Sequence, residues 1–429
     1  MNVLGVIEGF YGPPWTAAQR ERLFLRMQTW GMETYLYAPK DDPWHRQRWR
    51  EPYPPEHAQA LADLTAAARQ RDVRVVYALS PGLDLDWDAP DDRRALTDKF
   101  TQVAALGVTD FALLFDDIPY SDDRAAQARV QVQAAHAVVD ALWPDGPGGA
   151  FLFCPTEYCA DRAVPSVTES PYLRELGSGL RPGIEIFWTG PQVVSPQIGV
   201  EDILAVNATL RRPVLLWDNL HASDYTLHRV HLGPYAGRPL ALREHLSGIL
   251  SNPNTPLEPN TPGLYSLADY ARADAGWTPQ ASLDAALRAW LPEFGAAPDD
   301  TELLDGLRVL ADALYLPGTL GPRAQALLQD AHAIHGDAPA ASAQRLRGAS
   351  HSLRRVLRAL EAGSNRDLLF DLHPFLVDLI EELHRLSAPQ SGRGADDPAQ
   401  FVYRGSLADR LLALGWSDRP QGPDTPTTG

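Results

Sequence analysis

The chain is almost without lysine and cysteine. Lys40 and Lys99 are the two lysines among 38 basic residues, and Cys154 and Cys159 are the two cysteines. Two thiols make no disulfide framework. With four residues between them and no second Cys or His pair beside them, they make no zinc site either, so buried free thiols are expected. No run approaches the roughly 18 apolar residues of a spanning helix. The opening stretch MNVLGVIEGF lacks a basic flank and carries Glu8, unlike a secretory leader. Positive charge is also short: 38 basic against 55 acidic residues give a net charge of −17, a field that opposes nucleic acid and anionic membrane. A soluble, cytoplasmic protein is expected, with neither of those partners. The arginine bias fits codon usage, and it makes each surviving lysine notable, because a compact ammonium does what a guanidinium fork cannot.

What is present is enough apolar material for real cores: 45% of 429 residues, a length that suggests one large and one smaller domain. Eight short runs rich in Val, Ile, Leu and Phe recur through the first two thirds. They are VLGVIEG near residue 6, TYLYAPK near 37, VRVVYAL near 76, FALLF near 113, FLFCPTE near 153, IEIFWTG near 187, PVLLWDN near 216 and LSGILSN near 248. Their spacing of about 30 to 40 residues is that of a strand–loop–helix–loop unit. Segments between them, such as 17–30, 55–70 and 122–142, read as helices. FALLF is apolar without alternation, as a parallel strand covered on both faces should be. A closed (β/α)8 TIM barrel is therefore expected over residues 1–280, ahead of an open sheet of seven or nine strands.

After Trp277 the period changes to that of helices, at 283–290, 302–315, 324–335, 345–361 and 367–386, with breaks at LPEFG, LPGT and HGDAPA. An α-helical bundle domain is expected over 281–388, a candidate oligomer interface, with the oligomeric state itself unreadable. The tail 389–429 is rich in Ser, Gly, Asp and Pro and is expected to be partly ordered, with 401–416 apolar enough to dock.

Chemistry in this barrel class sits at the C-terminal ends of the strands. Those ends read EGFYG, APKDD, FDD, PTEY, FWTGP, WDN and SNPN, so nearly every strand delivers polar and aromatic residues to one rim. Asp116–Asp117, directly after FALLF, is the sharpest element. Neighbouring carboxylates repel, and a partly desolvated member is expected to keep its proton to higher pH. One ionised and one neutral carboxyl is the combination that glycosidic bond cleavage needs, though Asp-Asp also occurs in caps and loops. Asp116, Asp117, Glu157, Asp218, Asp224 and His221 could instead hold a metal, but no HExxH or H-x-H spacing supports it. Tyr11, Tyr158, Trp188, Trp217 and Tyr225 fall at or just beyond strand ends, where rings stack on the apolar face of a sugar, or simply pack in the core. Asn219, Asp224 and Asn252 suit hydroxyl recognition, or turns.

Nine segments, among them GVIEGFYGPPW (5–15), TYLYAPKDDPWHRQRWRE (34–51), FALLFDD (111–117), FLFCPTEYC (151–159), FWTGPQVV (187–194), VLLWDNLHASDY (214–225), LGPYAGR (232–238) and SNPN (251–254), resemble the catalytic domain of the family 84 glycoside hydrolases, the retaining β-N-acetylglucosaminidases known as O-GlcNAcases. The resemblance runs from residue 3 to about 275 and is much fainter beyond. It implies a (β/α)8 barrel and hydrolysis of terminal β-linked N-acetylglucosamine on a glycoprotein, glycopeptide or oligosaccharide, with no metal or cofactor. It also implies a nucleophile supplied by the substrate's own acetamido oxygen, through an oxazoline. Carried over by position, Asp116 accepts the acetamido N–H and Asp117 is the general acid and base. Tyr158 bonds the acetamido oxygen, and Asn219 supports the reacting end of the sugar. Asp224, Asn252, Lys40 and the backbone of Gly9 anchor outer hydroxyls. Tyr11 and Trp217 are pocket walls, Cys154, Thr189 and Val193 line the acetamido cavity, and Tyr225 joins the binding set. The loop after Asp117, IPYSDDRAAQ, is shorter than in some relatives and bears on leaving-group preference. A hyaluronidase or general chitooligosaccharide hexosaminidase on the same barrel, and a protein that grips N-acetylglucosamine without cleaving it, are the alternatives.

Overall fold

The computed structural model describes residues 3–225, 229–334 and 339–387, together with 407, 410 and 411. The expectations for the tail, including docking of 401–416, lie outside the described residues apart from those three.

Eight strands follow one another from the first described residue, each neighbouring pair separated by a helix except β7 and β8, between which stands a 3-10 turn, Leu240–His245. In chain order they are β1 (Val3–Glu8), α1 (Ala17–Trp30), β2 (Thr34–Tyr37), α2 (Pro55–Arg69), β3 (Arg74–Leu79), α3 (Pro90–Ala105), β4 (Asp110–Leu114), α4 (Arg124–Leu142), β5 (Phe151–Cys154), α5 (Pro171–Gly179), β6 (Ile184–Trp188), α6 (Val200–Leu210), β7 (Val214–Asp218) and β8 (Leu246–Ser251). Each strand pairs in parallel with the next, and β8 returns to β1 through Val3 opposite Gly248, which closes the barrel. The expected fold is the observed one. Closure buries both faces of the strands, which is why FALLF could dispense with alternation: all five residues of β4 are buried. Inside, Ile7, Leu36, Val76, Ala112, Leu152, Phe187, Leu215 and Leu250 form one apolar cluster.

Helix starts follow local chemistry. Thr16 and Gln19 form a capping box on α1, and the side chains of Asp123 and Ser170 cap α4 and α5. Trp188, which sequence alone left between pocket and core, is a core residue at 1% exposure.

Cα packing resolves two compact units. One comprises residues up to Tyr225, Tyr235–Leu257 and Leu264–Ser282. The other comprises 229–234, Glu258–Gly263 and the described residues from Leu283 on. Helix α7 (Asn260–Arg272) follows β8, then α8 (Pro279–Trp290), α9 (Thr301–Ala313), α10 (Pro322–Ala333), α11 (Pro339–Ala362) and α12 (Arg366–Ser387). The second unit has its own core. Leu346, Leu353, Val356 and Leu360 of α11 lie at helical spacing in a cluster with Leu303, Leu307 and Leu310 of α9 and Leu372, Leu376 and Leu379 of α12. The stretch 229–234 joins it through Leu232 N–H, which donates to Leu314 O at 2.7 Å.

Beneath the barrel rim lies a fully buried ion pair. Arg238 donates to Asp218 Oδ1 at 2.7 Å and Oδ2 at 2.8 Å, and to Ser195 O at 2.8 Å, while Tyr235 OH donates to Asp218 Oδ2 at 2.6 Å. This ties the end of β7 to the loop after β6. Removing one partner leaves the other charge uncompensated, so Arg238→Met is expected to destabilise the barrel by about 3–5 kcal/mol. A urea midpoint equal to that of the parent would contradict this.

Candidate active site

The strand ends converge on a cavity of about 470 Å³ at the C-terminal rim, within the size range of small-molecule sites. Gly9, Tyr11, Lys40, Asp116, Asp117, Cys154, Tyr158, Thr189, Val193, Trp217, Asn219, Asp224, Tyr225 and Asn252 all line it, contributed by the ends of seven strands. Every residue that the resemblance assigns to the site is thus on one wall or another, while Trp188, Glu157, Asp218 and His221 are not among the lining residues. Arg162, Val194 and Ala222 line it as well.

Backbone geometry separates the two aspartates. Asp117 has φ +52°, a left-handed conformation that non-glycine residues seldom adopt. The turn sends the two neighbouring carboxyls to different partners. Asp116 Oδ2 accepts from Lys40 Nζ at 2.5 Å in an enclosed site. Asp117 Oδ1 accepts from Tyr158 OH at 2.7 Å and Arg162 Nη2 at 3.1 Å, and its Oδ2 accepts from Tyr11 OH at 3.4 Å.

Here one expectation is corrected. Desolvation was expected to leave the more buried carboxyl protonated. The buried one is Asp116, and burial does push it upward, but the Lys40 ammonium, with Arg46 beyond it, outweighs burial and holds the carboxyl below the ordinary range. Asp116 is thus held ionised. Its other oxygen, Oδ1, is buried with no hydrogen-bond partner among the described residues, as is Asn252 Oδ1. A buried acceptor left unpaired costs free energy, and both residues line the cavity.

The remaining walls follow from their packing. Burial, then the Asp117 charge, keeps the Tyr158 hydroxyl protonated far above its usual range, so it is a fixed donor. That hydroxyl, expected to bond a substrate carbonyl, donates its hydrogen bond to Asp117 in this structure. Lys40 likewise meets Asp116 rather than standing alone. Burial pushes the Cys154 thiol well up, making it an inert wall rather than a nucleophile. Trp217 stands edge-on to Phe187 with ring centroids 5.1 Å apart, and its Nε1–H donates to Asn219 Oδ1 at 3.1 Å. Asn219 also accepts from Asn252 Nδ2 at 2.9 Å and donates to Val193 O at 2.7 Å, which fixes the floor. Gly9 lets the β1 loop approach: a Cβ there would stand 2.8 Å from the Trp217 ring. Asp224 Oδ2 accepts the Tyr11 backbone N–H at 3.0 Å, tying rim to rim.

The acids considered as metal ligands have other partners. Glu157 accepts from Arg124 at 2.7 Å and Ser170 at 2.6 Å, and Asp218 is paired with Arg238. Among the described residues no group of three or more His, Cys, Asp or Glu is arranged to hold a metal ion. No helix among them is long and apolar enough to cross a membrane.

Sequence reasoning missed Arg162 and Arg46. Arg46 Nη1 donates to Tyr11 OH at 3.1 Å, and its guanidinium lies over the same ring at 5.8 Å. Both sit inside segments quoted above or just beyond them, but among 36 arginines neither stands out.

A (β/α)8 barrel with paired aspartates and a sugar-sized cavity at its catalytic rim defines a glycosidase-type scaffold. Residues 4–304 match the family model described as beta-N-acetylglucosaminidase, and the chain belongs to that family. It is 41% identical over 333 residues to the protein O-GlcNAcases of Rattus norvegicus and Mus musculus, an alignment covering 68% of this chain and 36% of each relative. The chain thus spans about a third of the length of those curated relatives. Among solved structures, a variant of the Thermobaculum terrenum O-GlcNAc hydrolase superposes with a TM-score of 0.78 at 28% identity, covering 90% of this chain and 82% of that one. A structure titled CpGH84B gives a TM-score of 0.78 at 25% identity, covering 90% and 68%.

Proposed function

We propose that the chain hydrolyses terminal β-linked N-acetylglucosamine from modified protein or another glycoconjugate, with retention of configuration and with the substrate's acetamido oxygen as nucleophile. The observation that carries this reading is the ionised, buried Asp116 with one oxygen unpartnered on the wall of the cavity of about 470 Å³. An anionic acceptor there fits an amide N–H, and a charge-assisted hydrogen bond orients the amide.

In the first step the acetamido oxygen bonds to C1 while the glycosidic C1–O bond breaks. Asp117 gives its proton to the departing oxygen, and Asp116 holds the amide N–H. The products are an oxazolinium ion, which keeps its N–H against the Asp116 carboxylate, and the free aglycone alcohol. In the second step water adds to C1, Asp117 takes its proton, and the ring opens to β-N-acetylglucosamine. Neither aspartate attacks the sugar, so the two can be neighbours, unlike the carboxylates of conventional retaining sites, which stand about 5 Å apart across the bond.

The test is a timed assay with 4-nitrophenyl N-acetylglucosaminide beside the matching glucoside, which lacks the amide. Cleavage of the first alone is expected, with inhibition by thiazoline analogues of the oxazoline and no effect of EDTA. Equal cleavage of both sugars, or activity restored only by a divalent ion, would overturn the reading.

A pH prediction follows from Lys40. The carboxylate form of Asp116 is the working form, and the Lys40 ammonium holds its titration low, so activity survives mild acid. Without that ammonium, burial pushes the carboxyl upward. Lys40→Met is therefore expected to raise the acid limb of kcat/KM by about a unit or more, so that activity is lost at a higher pH on acidification. An unmoved acid limb would show that another group controls it.

A further inference from the structure

Arg162 has no part in the scheme above, yet it lines the cavity and touches the carboxyl the scheme depends on. It is carried on the short turn Ala160–Arg162 after β5, and its guanidinium lies over the Tyr158 ring at 4.5 Å. One arm, Nη2, reaches Asp117 Oδ1 at 3.1 Å; the other, Nη1, donates to the hydroxyl of Tyr120 at 3.3 Å, a residue 39% exposed. The guanidinium thus bridges the acid and a partly exposed hydroxyl. Asp117 faces the leaving group in the proposed reaction, so a cation hydrogen-bonded to it stands beside the first atoms of the aglycone. The neighbouring Arg124, stacked on Tyr120 at 4.1 Å, is already paired with buried Glu157. Arg162 differs in that its carboxylate partner is one the reaction draws away. When Asp117 carries the proton it gives to the glycosidic oxygen, the half-enclosed guanidinium is without a counter-ion, and an anion on the substrate is the natural replacement. In a chain of net charge −17, a cation displayed at this mouth is a local reversal of sign.

We propose that Arg162 forms an anion subsite for the aglycone, so that the chain favours N-acetylglucosaminides whose leaving group carries a carboxylate close to the glycosidic oxygen. This rests on the hydrolytic reading above. A partly exposed, charge-assisted pair supports a preference of about tenfold in kcat/KM.

The experiment compares 4-carboxyphenyl and 4-carbamoylphenyl N-acetylglucosaminides, alike in shape but not in charge, on the parent chain and on Arg162→Gln and Arg162→Lys. The ratio of the two kcat/KM values in each protein is the readout, since leaving-group differences cancel between proteins and a merely structural loss moves both substrates together. The expected result is a ratio about tenfold higher in the parent than in Arg162→Gln, partly restored by Arg162→Lys and reduced by 0.5 M salt. A ratio unchanged by Arg162→Gln overturns the subsite while leaving hydrolysis intact. Cleavage of neither glycoside by the parent overturns the hydrolytic reading and this one with it. Parallel arms, a GlcNAc–serine peptide with Glu or Gln beside the serine and a disaccharide with a carboxylate or amide on its second sugar, tell which source presents the anion. A preference for the anionic member in either arm supports the subsite, and none in both overturns it.

Discussion

Asp117→Ala is expected to abolish turnover of substrates with poor leaving groups while sparing activated aryl glycosides in part. The reason is the work divided between the two steps. An alkoxide leaving from serine or from a sugar needs a proton as the C1–O bond breaks, and a positioned general acid contributes about 10²–10⁴-fold there. A nitrophenolate leaves without that proton, so its first step survives the loss. The second step still lacks a base, and activity on the aryl substrate falls by less. Measuring kcat/KM across aryl N-acetylglucosaminides of graded leaving-group acidity should give a steeper dependence for the variant than for the parent. Parallel lines would remove Asp117 from the acid role.

Asp116→Asn is expected to behave differently, cutting both classes of substrate by a similar factor of about 10² or more. The change keeps shape but removes the negative charge that Lys40 supports, and it offers N–H groups where an acceptor is required. Orientation of the amide is then lost whatever the leaving group. The variant leaves Lys40 buried without its counter-charge, so part of its cost is structural. Circular dichroism and the urea midpoint should be read beside the kinetics. A variant that folds as the parent does, and loses activity only on poor leaving groups, would exchange the roles of the two aspartates.

Much of this was legible along the chain because a parallel barrel writes itself locally. Each strand is a short apolar run, each is followed by a helix, and each ends where the polar residues begin. FALLF followed by Asp-Asp needs no tertiary knowledge to be read as a covered strand delivering two acids to a rim. The resemblance in EGFYG, TEYC and WDN then named the wall residues, and closure of the barrel brings them together, since strands one to eight are neighbours in order.

What escaped was sign and partnership. That desolvation should raise one of two adjacent carboxyls is sound for an isolated pair, but Lys40, 76 residues earlier, stands 2.5 Å from Asp116 and reverses the outcome. Arg162 escaped for a related reason. As one of 36 arginines it carries no compositional signal, and its pairing with Asp117 depends on how the turn after β5 folds over Tyr158.

The sequence by itself determined the strand count, the parallel order and most of the residues at the rim, because hydrophobic period and strand-end chemistry are properties of neighbouring positions. Tertiary structure alone decided that Asp116 is held ionised, which oxygen is left without a donor and which arginine faces the acid. Those follow from Coulomb interaction and desolvation among side chains that only the closed barrel brings within 4 Å of one another.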